Sequence, residues 1–370
     1  MTKKSIPFFN YPAIYIKNEQ EYINIFKDVC SRGAFIDQKD LADFEKNLAE
    51  YVDCKYAIGV ADGTSGLILA LRAKGLNQGD EVIFASHTMV ATASSIYYSG
   101  GIPVAVDCRD DRLIDPEDIL RKITPRTRGI VPTQLNGRTC NMDEINKIAT
   151  DHKLFIIEDA AQALGSKFKG KSAGTFGSAG MISFYPAKTL GCFGDGGAVF
   201  TNDDEMFRQM KLIRDHGRDP ATGKVLRFGL NSRLDNLQAA ILNFKLKTYP
   251  QDLERRRSIA RTYQAMLGDL DQLLLPPGPD VDENHYDIYQ NYEIEAERRD
   301  ELKSYLAENG IGTIIQWGGS AVHQFEGLGF KCKLPRTEKF FKGALMLPMN
   351  TTLSDDDVEY IGNCVKTFYK

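Results

Sequence analysis

The seven cysteines of this sequence are scattered, and no two of them are spaced as Cys-X-X-Cys. A disulfide framework needs an even, clustered set of cysteines, and a structural zinc site needs closely spaced ligands. We therefore expect neither, and we expect no metal site. Unpaired cysteines fit a reducing compartment, so the expected location is the cytoplasm.

Long hydrophobic runs and an excess of one charge are also missing. No apolar stretch approaches the about 20 residues that a membrane span needs, and no signal-peptide hydrophobic segment follows the first residues. Lys and Arg total 46 against 50 Asp and Glu, a net charge of −4, and no basic patch is interleaved with aromatic residues. We expect a chain that binds neither a membrane nor nucleic acid.

Short apolar segments alternate with helical segments through the first half of the chain. The apolar spacing predicts strands at 56–61, 81–85, 103–107, 129–133 and 154–158, with helices at 65–73, 89–98, 115–123 and 143–151 between them. This alternation predicts an α/β fold with a mostly parallel sheet wrapped by helices. Ligands of such sheets bind beyond the carboxyl ends of the strands.

The pattern changes near residue 245, and 370 residues suffice for two domains. Pro250 interrupts a helical pattern, and the proline-rich stretch 273–280 resembles a linker. Strands at 289–295 and 313–316 and helices at 298–309 and 354–369 are predicted beyond it. We predict a large domain over 1–244 and a smaller C-terminal α+β domain over 245–370, with the N-terminal segment packing on the small domain.

One lysine stands just past the end of a predicted strand. The apolar segment 181–184 runs into Pro186, Lys188 follows, and a glycine-rich turn precedes a second apolar strand. Burial disfavours the ammonium form and makes the free amine a nucleophile towards aldehydes, while glycines let the backbone approach a flat, bulky group. Our hypothesis is a Schiff base between Lys188 and pyridoxal phosphate. The alternative is a surface lysine in a strand–turn–strand connection.

Two other strand ends supply what this cofactor requires. Residues 62–65, Asp-Gly-Thr-Ser, lie between a strand and a helix, where free N–H groups and the helix dipole favour a phosphate. Asp159 ends an apolar strand, and a carboxylate there would keep the pyridine nitrogen protonated. An ordinary helix cap at 62–65 and a solvated strand-end charge at Glu158 or Asp159 are the alternatives.

The order of these motifs resembles that of the DegT family of sugar-nucleotide aminotransferases, which are fold-type I pyridoxal-phosphate enzymes. The resemblance covers almost the whole chain. It rests on Phe35-Ile36, Phe44-Glu45, Gly63-Thr64, Thr88-Met89-Val90-Ala91-Thr92, Glu158-Asp159-Ala160-Ala161-Gln162, Ser183-Phe184-Tyr185-Pro186-Ala187-Lys188, Gly194-Asp195-Gly196-Gly197, His216-Gly217 and Asn231-Ser232-Arg233-Leu234-Asp235. It implies an aspartate-aminotransferase-like large domain with a seven-stranded, mostly parallel sheet that binds pyridoxal phosphate.

The resemblance also implies a role for each matching residue at the cofactor ring. Lys188 would form the Schiff base and later move the proton between the cofactor carbon and the sugar carbon. Asp159 would pair with the pyridine nitrogen, and Gln162 would contact the ring hydroxyl.

The phosphate would be held by residues of two subunits. Gly63 and Thr64, with the hydroxyl of Ser183, resemble the family's phosphate site. Asn231 resembles the residue that members donate across the dimer to the neighbouring subunit's phosphate. The resemblance therefore implies a homodimer with active sites at the subunit interface.

The sequence departs from the family pattern around the cofactor and the substrate. Met89 occupies a position that usually holds a ring stacked on the cofactor, and His87 is a candidate to compensate. Gln316 and Trp317 replace a frequent His-Tyr pair in a substrate segment, and Gln134 and Asn136 stand where relatives often have His and Tyr. The candidate substrate residues are His87, Tyr185, Gln316, Trp317 and His323. For Trp317 a packed hydrophobic role, and for His323 a structural one, are the alternatives.

The resemblance implies a transaminase that moves an amino group from L-glutamate to a nucleotide-linked keto-deoxysugar. Lysine at position 188 favours transamination over the dehydration carried out by relatives with histidine there. The Gly194-Asp195-Gly196-Gly197 turn resembles members that aminate C3, with C4 as the alternative. A more distant alternative is a pyridoxal-phosphate-binding regulator without turnover. Surface-glycan synthesis, such as lipopolysaccharide O-antigen, or natural-product sugar synthesis is the implied setting.

Overall fold

Seven strands form the main sheet of the structure, a computed structural model that describes residues 4–370. Together with those outside the main sheet, the strands of the described residues are β1 (Tyr56–Val60), β2 (Glu81–Ala85), β3 (Ile102–Val106), β4 (Thr127–Val131), β5 (Phe155–Asp159), β6 (Lys167–Phe168), β7 (Lys171–Ser172), β8 (Ala179–Ser183), β9 (Gly197–Thr201), β10 (Leu273–Leu274), β11 (His285–Tyr286), β12 (Tyr292–Ala296) and β13 (Ala344–Leu347). The helices are α1 (Tyr11–Ile16), α2 (Glu19–Ser31), α3 (Lys39–Val52), α4 (Gly63–Ala73), α5 (Val90–Tyr98), α6 (Pro116–Lys122), α7 (Met142–His152), α8 (Asp204–Arg214), α9 (Asn236–Leu246), α10 (Tyr249–Leu267), α11 (Arg299–Glu308), α12 (Pro335–Gly343) and α13 (Asp355–Tyr369).

The strand order of the main sheet is β1-β9-β8-β5-β4-β2-β3. Strand β9 is antiparallel to both its neighbours, and the pairs from β8 to β3 are parallel. All strands except β9 therefore point the same way, and their carboxyl ends meet at one edge. The predicted α/β fold with a mostly parallel, seven-stranded sheet is confirmed.

Helices cover both faces of this sheet because its strands are apolar on both sides. Apolar residues of α4, α5 and α8 pack on one face with the buried strand residues Ile58, Phe84 and Val199. Helices α3 and α9 pack on the other face around Phe184 and Phe200. The helices packed on both faces hold the strands in place, and with them the residues at the strand ends.

A second, three-stranded sheet, β10-β12-β13, lies in the C-terminal part and packs with α10, α11 and α13. Ile6 pairs with Ile311 and is buried in this core. Helix α10 joins the two cores, since Tyr249 packs with the main sheet and Tyr263 with the smaller one. A C-terminal α+β unit is thus present, while the domain boundary at 244/245 stays a prediction.

The strand predicted at 313–316 is wrong. Only Ile314 forms an isolated bridge, to Met346, and a 3₁₀ turn over Gln316–Gly319 follows. Trp317 and Gly318 have φ values of 47° and 71°, in the left-handed region that ends an extended segment. Within residues 4–370, no helix is long and apolar enough to cross a membrane.

Candidate active site

Polar residues at the ends of four strands of the main sheet lie at its carboxyl edge. Asp62 follows β1, Thr88 follows β2, Thr133 follows β4 and Asp159 ends β5. The turn that carries Lys188 follows β8 and leads back into β9. Such an edge is where an open α/β sheet binds its ligand.

Lys188 lies in a turn that begins directly after β8. Its N–H donates to the carbonyl of Tyr185 at 2.8 Å. Burial lowers the pKa of Lys188 to about 8, with the charge of Asp159 opposing that change. Among the described residues its amine makes no hydrogen bond or ion pair, so it is available to an incoming group.

Asp159 is the carboxylate that faces this lysine. It is 4% exposed, and it accepts hydrogen bonds from the Thr92 hydroxyl at 2.6 Å and from the N–H of Ala161 at 3.1 Å. Burial raises the pKa of Asp159, while Thr92, Ala161 and the charge of Lys188 act in the opposite direction. A buried acid held by donors is positioned to accept one more hydrogen bond, such as that of a protonated ring nitrogen.

A chain of three threonine hydroxyls ends at Asp159. Thr133 donates to Thr88 at 2.9 Å, and Thr88 and Thr92 lie 2.8 Å apart. Thr92 uses its single proton on Asp159, so Thr88 must donate to Thr92. The chain therefore delivers a hydrogen bond to the carboxylate and favours its ionised form.

Glu158, the other carboxylate of this strand, is engaged elsewhere. It is fully buried and accepts from the N–H groups of Gly174, Phe176 and Gly177 at 2.6–2.9 Å, and from Gln134 at 2.7 Å. Successive strand residues point to opposite faces. The structure therefore places Asp159 at the candidate site and assigns Glu158 to the loop before β8.

Residues 62–65 comprise the N-cap and the first residues of α4. The Asp62 side chain caps the helix by accepting from the Ser65 N–H and hydroxyl, both at 2.8 Å. Ser65 is thereby occupied. Among the described residues the N–H groups of Gly63 and Thr64 have no partner, and both lie at the positive end of the helix dipole.

These features fit pyridoxal phosphate. An amine of lowered pKa, a buried carboxylate and unpaired helix-terminal N–H groups lie at one sheet edge. Ser183 is at the end of β8, where its hydroxyl accepts from the Tyr185 N–H at 3.3 Å. No group of three or more potential metal ligands occurs within residues 4–370.

Gln162 is tied to the substrate segment and to a buried acid that the sequence did not single out, Glu293. Gln162 accepts from the Asn136 N–H at 2.8 Å. The Asn136 side chain donates to Glu293 at 2.7 Å. Gln316, with its amide oriented to satisfy its neighbours, donates to Glu293 at 2.9 Å and accepts from Gln162 at 3.3 Å.

His87 lies behind this cluster. Its Nε2 is 3.5 Å from Glu293, its Nδ1 is 3.2 Å from the Arg112 carbonyl oxygen, and its ring packs 5.7 Å from that of Trp317. Glu293 lies within the strand predicted at 289–295, and nothing else in the sequence distinguishes it. Trp317 packs against the hydrophobic cores as well, as its alternative reading expects.

The remaining predicted residues lie in different surroundings. Met89 and Tyr185 are 48% and 53% exposed, so both are accessible. His323 is buried between Ser86 at 2.7 Å and Glu338 at 3.2 Å. Asn231 is exposed and pairs with Asp215 through a backbone bridge, and the structure does not bring its side chain to Lys188.

Comparisons with known proteins show the family of this chain. A profile of the DegT/DnrJ/EryC1/StrS aminotransferase family matches residues 17–366. The chain is 37% identical to a "pleiotropic regulatory protein" of Geobacillus stearothermophilus, covering 99% of each. It is 36% identical to the dTDP-3-amino-3,4,6-trideoxy-alpha-D-glucose transaminase of Streptomyces venezuelae, covering 94% of this chain and 92% of that protein.

The fold matches solved structures of the same family. The crystal structure of DesV from S. venezuelae in complex with a ketimine intermediate superposes with a TM-score of 0.94 at 34% identity, covering 99% of both chains. Since both the family match and this superposition span nearly the whole chain, the protein belongs to the DegT/DnrJ/EryC1/StrS aminotransferase family and is an aminotransferase that uses pyridoxal phosphate.

Proposed function

We propose that this enzyme transfers an amino group from L-glutamate to C3 of a nucleotide-linked keto-deoxysugar. The observation that carries the proposal is that a partly buried amine, Lys188, unpaired among the described residues, lies within the field of a buried carboxylate, Asp159, at the sheet edge. When bound, pyridoxal phosphate supplies an aldehyde that condenses with amines and a ring that accepts electrons. The remaining chemistry is positioning and proton movement, which the chain's own residues provide.

Each residue of the site has a proposed part. The N–H groups of Gly63 and Thr64, with the Ser183 hydroxyl, bind the phosphate. Asp159, whose ionised form is favoured by the hydrogen bond from Thr92, keeps the ring nitrogen protonated. Lys188 holds the cofactor at rest and serves as the base and acid that moves the proton, since a pKa of about 8 lets the amine both take and return it near neutral pH.

The sugar site is proposed beside Gln162, where Gln316 belongs to the predicted substrate segment. Tyr185 is exposed at the same turn as Lys188. His87 and Trp317 pack against each other next to Glu293, and we propose that they shape the sugar site without contacting the sugar. The buried His323 is the weakest substrate candidate, because both its nitrogens have protein partners.

A homodimer is part of the proposal. Three apolar residues just before Asn231 are left in solvent in the single chain: Phe228 is 100% exposed, Val225 67% and Leu226 55%. Exposed apolar patches of this kind mark protein interfaces. Asn231, which has no role within its own chain's site, follows this segment and would reach the partner's phosphate site.

Amination at C3 is supported by the glycine turn after Lys188 and by the S. venezuelae relative, whose name is that of a 3-amino-sugar transaminase. The alternative is the same reaction at C4. The name of the Geobacillus relative favours a second candidate, a regulatory role. Turnover of any keto-sugar nucleotide would show that the protein is a transaminase and not a regulator without turnover.

The test is transfer of nitrogen from ¹⁵N-labelled glutamate to a panel of 3-keto and 4-keto deoxysugars linked to dTDP, UDP or GDP. Product mass reports transfer, and the carbon coupled to ¹⁵N in the NMR spectrum reports the position. We expect labelled amine at C3. Label at C4 alone would replace the C3 assignment, and label in no product would contradict the substrate class.

Lys188→Ala tests the catalytic assignment within the same assay. We expect no turnover and no cofactor retained on the peptide after borohydride reduction, because the amine is gone. The exposed Lys27→Ala is the matched control and should behave as the parent. Full turnover by Lys188→Ala would refute the assignment.

A further inference from the structure

A single glutamine side chain bridges the two peptide groups on either side of Lys188. The Oε1 atom of Gln290 accepts from the Thr189 N–H at 2.9 Å, and its Nε2 donates to the Ala187 carbonyl at 2.8 Å. Gln290 is 6% exposed, so water competes little for these hydrogen bonds. The contact joins residues about 100 positions apart in the chain.

Both halves of the amide are needed at this place. The peptide group before Lys188 offers an acceptor and the group after it offers a donor, and a side-chain amide has one of each on one flat group. Fixing both peptide planes fixes the direction in which the Lys188 side chain leaves the backbone. The Lys188 amine makes no hydrogen bond or ion pair among the described residues. The direction of the side chain therefore depends on the backbone of the turn.

Gln290 is itself held from the C-terminal part of the molecule. Arg256, on α10, donates to the carbonyl of Gln290 at 3.2 Å and to that of Tyr289 at 3.1 Å. The next residue, Asn291, donates to Asn136 at 2.7 Å. The segment that leads into β12 therefore connects the smaller sheet with the turn that carries the lysine.

We infer that Gln290 is a positioning residue for Lys188, which aims the amine by holding the peptide groups that flank it. This inference rests on the proposed role of Lys188. It concerns orientation and not chemistry, because Gln290 touches only the backbone of the turn.

Two variants of the holoenzyme test it. Gln290→Met keeps the length of the side chain and removes both hydrogen bonds. Gln290→Glu keeps an acceptor for Thr189 but presents an oxygen to the Ala187 carbonyl, and it carries the test if the methionine variant fails to fold. Gln238→Met is the matched control, because Gln238 makes the same two-way contact with the backbone of Phe193, at 2.8 and 3.0 Å, farther along the same turn.

Three measurements are made on each variant: kcat and KM for the amino donor, hydrogen exchange of the Thr189 amide, and the rate at which borohydride fixes the cofactor to Lys188. For Gln290→Met we expect kcat to fall about 10- to 100-fold, with KM changed by less than about threefold, because misplaced reacting groups slow the chemical step. Thr189 exchange should rise and fixation at Lys188 should slow. Gln290→Glu should keep part of the Thr189 protection but lose kcat.

The inference is overturned if the Gln290 variants keep the parent kcat and fixation rate, or if Gln238→Met lowers both as much as they do. The second result would show that any loosening of the turn suffices. Failure of the proposed role of Lys188 looks different, since borohydride would then fix no cofactor at Lys188 even in the parent protein. Failure of the proposed reaction would leave that fixation intact while the parent transfers no labelled nitrogen to any keto-sugar.

Discussion

At the scale of single residues, the burial that lowers the pKa of Lys188 also destabilises the folded protein. Burial lowers the pKa of Lys188 from 10.5 to about 8, so the native state binds the proton less tightly than the unfolded chain does. Below pH 8 both the native and the unfolded chain carry the ammonium, and the native state bears the full cost of burying it. Between pH 8 and 10.5 only the unfolded chain is charged, and the cost fades as the pH rises.

Replacing Lys188 by methionine should therefore stabilise the cofactor-free protein. We expect the free energy of unfolding to rise by about 1–3 kcal/mol at pH 7, a range reduced because the lysine keeps some exposed surface. The gain should shrink towards zero near pH 10.5. Urea unfolding at the two pH values measures it, with the exposed Lys27→Met as control. Equal or lower stability of Lys188→Met at pH 7 would show that the amine is solvated.

At the scale of elements, α12 shows why one helix was missing from the sequence-based expectations. Leu334 stands at its N-cap and its side chain cannot cap. Asp107, which follows β3, accepts instead from the N–H of Arg336 at 3.1 Å and of Thr337 at 2.8 Å. Because the cap comes from more than 200 positions away, the local sequence contains no capping residue, and Pro335 at the first position is the start signal that remains.

Asp107→Asn tests this distant cap. Burial acts to raise the pKa of Asp107, but hydrogen bonds from Thr337, Arg336 and Cys108 outweigh it and lower the pKa. The ionised form thus stabilises the native state above the unfolded pKa of about 3.9, and that stabilisation is lost as the pH falls through the lowered native value. We expect Asp107→Asn to lower the free energy of unfolding by about 1–2 kcal/mol at pH 7, and by less below pH 4.

Chemical unfolding at both pH values measures the effect. Asp356→Asn is the control, because Asp356 is an exposed acid in the first turn of α13. It should change stability by only a few tenths of a kcal/mol. A pH-independent loss in Asp107→Asn would mean that shape, and not charge, matters at the cap.

The same distinction between local and distant signals separates what the sequence predicted from what it did not. Strands and helices from 56 to 159 follow local periodicity, and the structure has them within a few residues of the predicted bounds. Because successive strand residues point to opposite faces, only one of Glu158 and Asp159 can face Lys188, and the hydrogen-bond partners in the structure show that it is Asp159. The contacts of Glu293 and Gln290 could not be predicted from the sequence, because their partners lie about 160 and 100 positions away.

At the scale of the whole molecule, the proposed homodimer would complete the phosphate site. Gly63, Thr64 and Ser183 offer a phosphate backbone N–H groups and the hydroxyls of Thr64 and Ser183, while Asn231 is exposed and its side chain makes no hydrogen bond among the described residues. The exposed apolar segment that includes Phe228 precedes Asn231. A symmetric pair of chains would cover that segment in both copies and exchange the two asparagines.

Mixing two damaged variants tests this exchange. In a dimer of Lys188→Ala with Asn231→Ala, one site combines the intact Lys188 of one chain with the intact Asn231 of the other, and the second site carries both defects. Random re-pairing makes half of the dimers mixed, so we expect about one quarter of the parent's turnover to return. The control pair, Lys188→Ala with Asp159→Asn, damages the same chain's half of the site and should recover nothing. If Asn231 instead serves its own chain, the first mixture will recover no more than the control, and the shared site will have to be abandoned while the dimer itself survives.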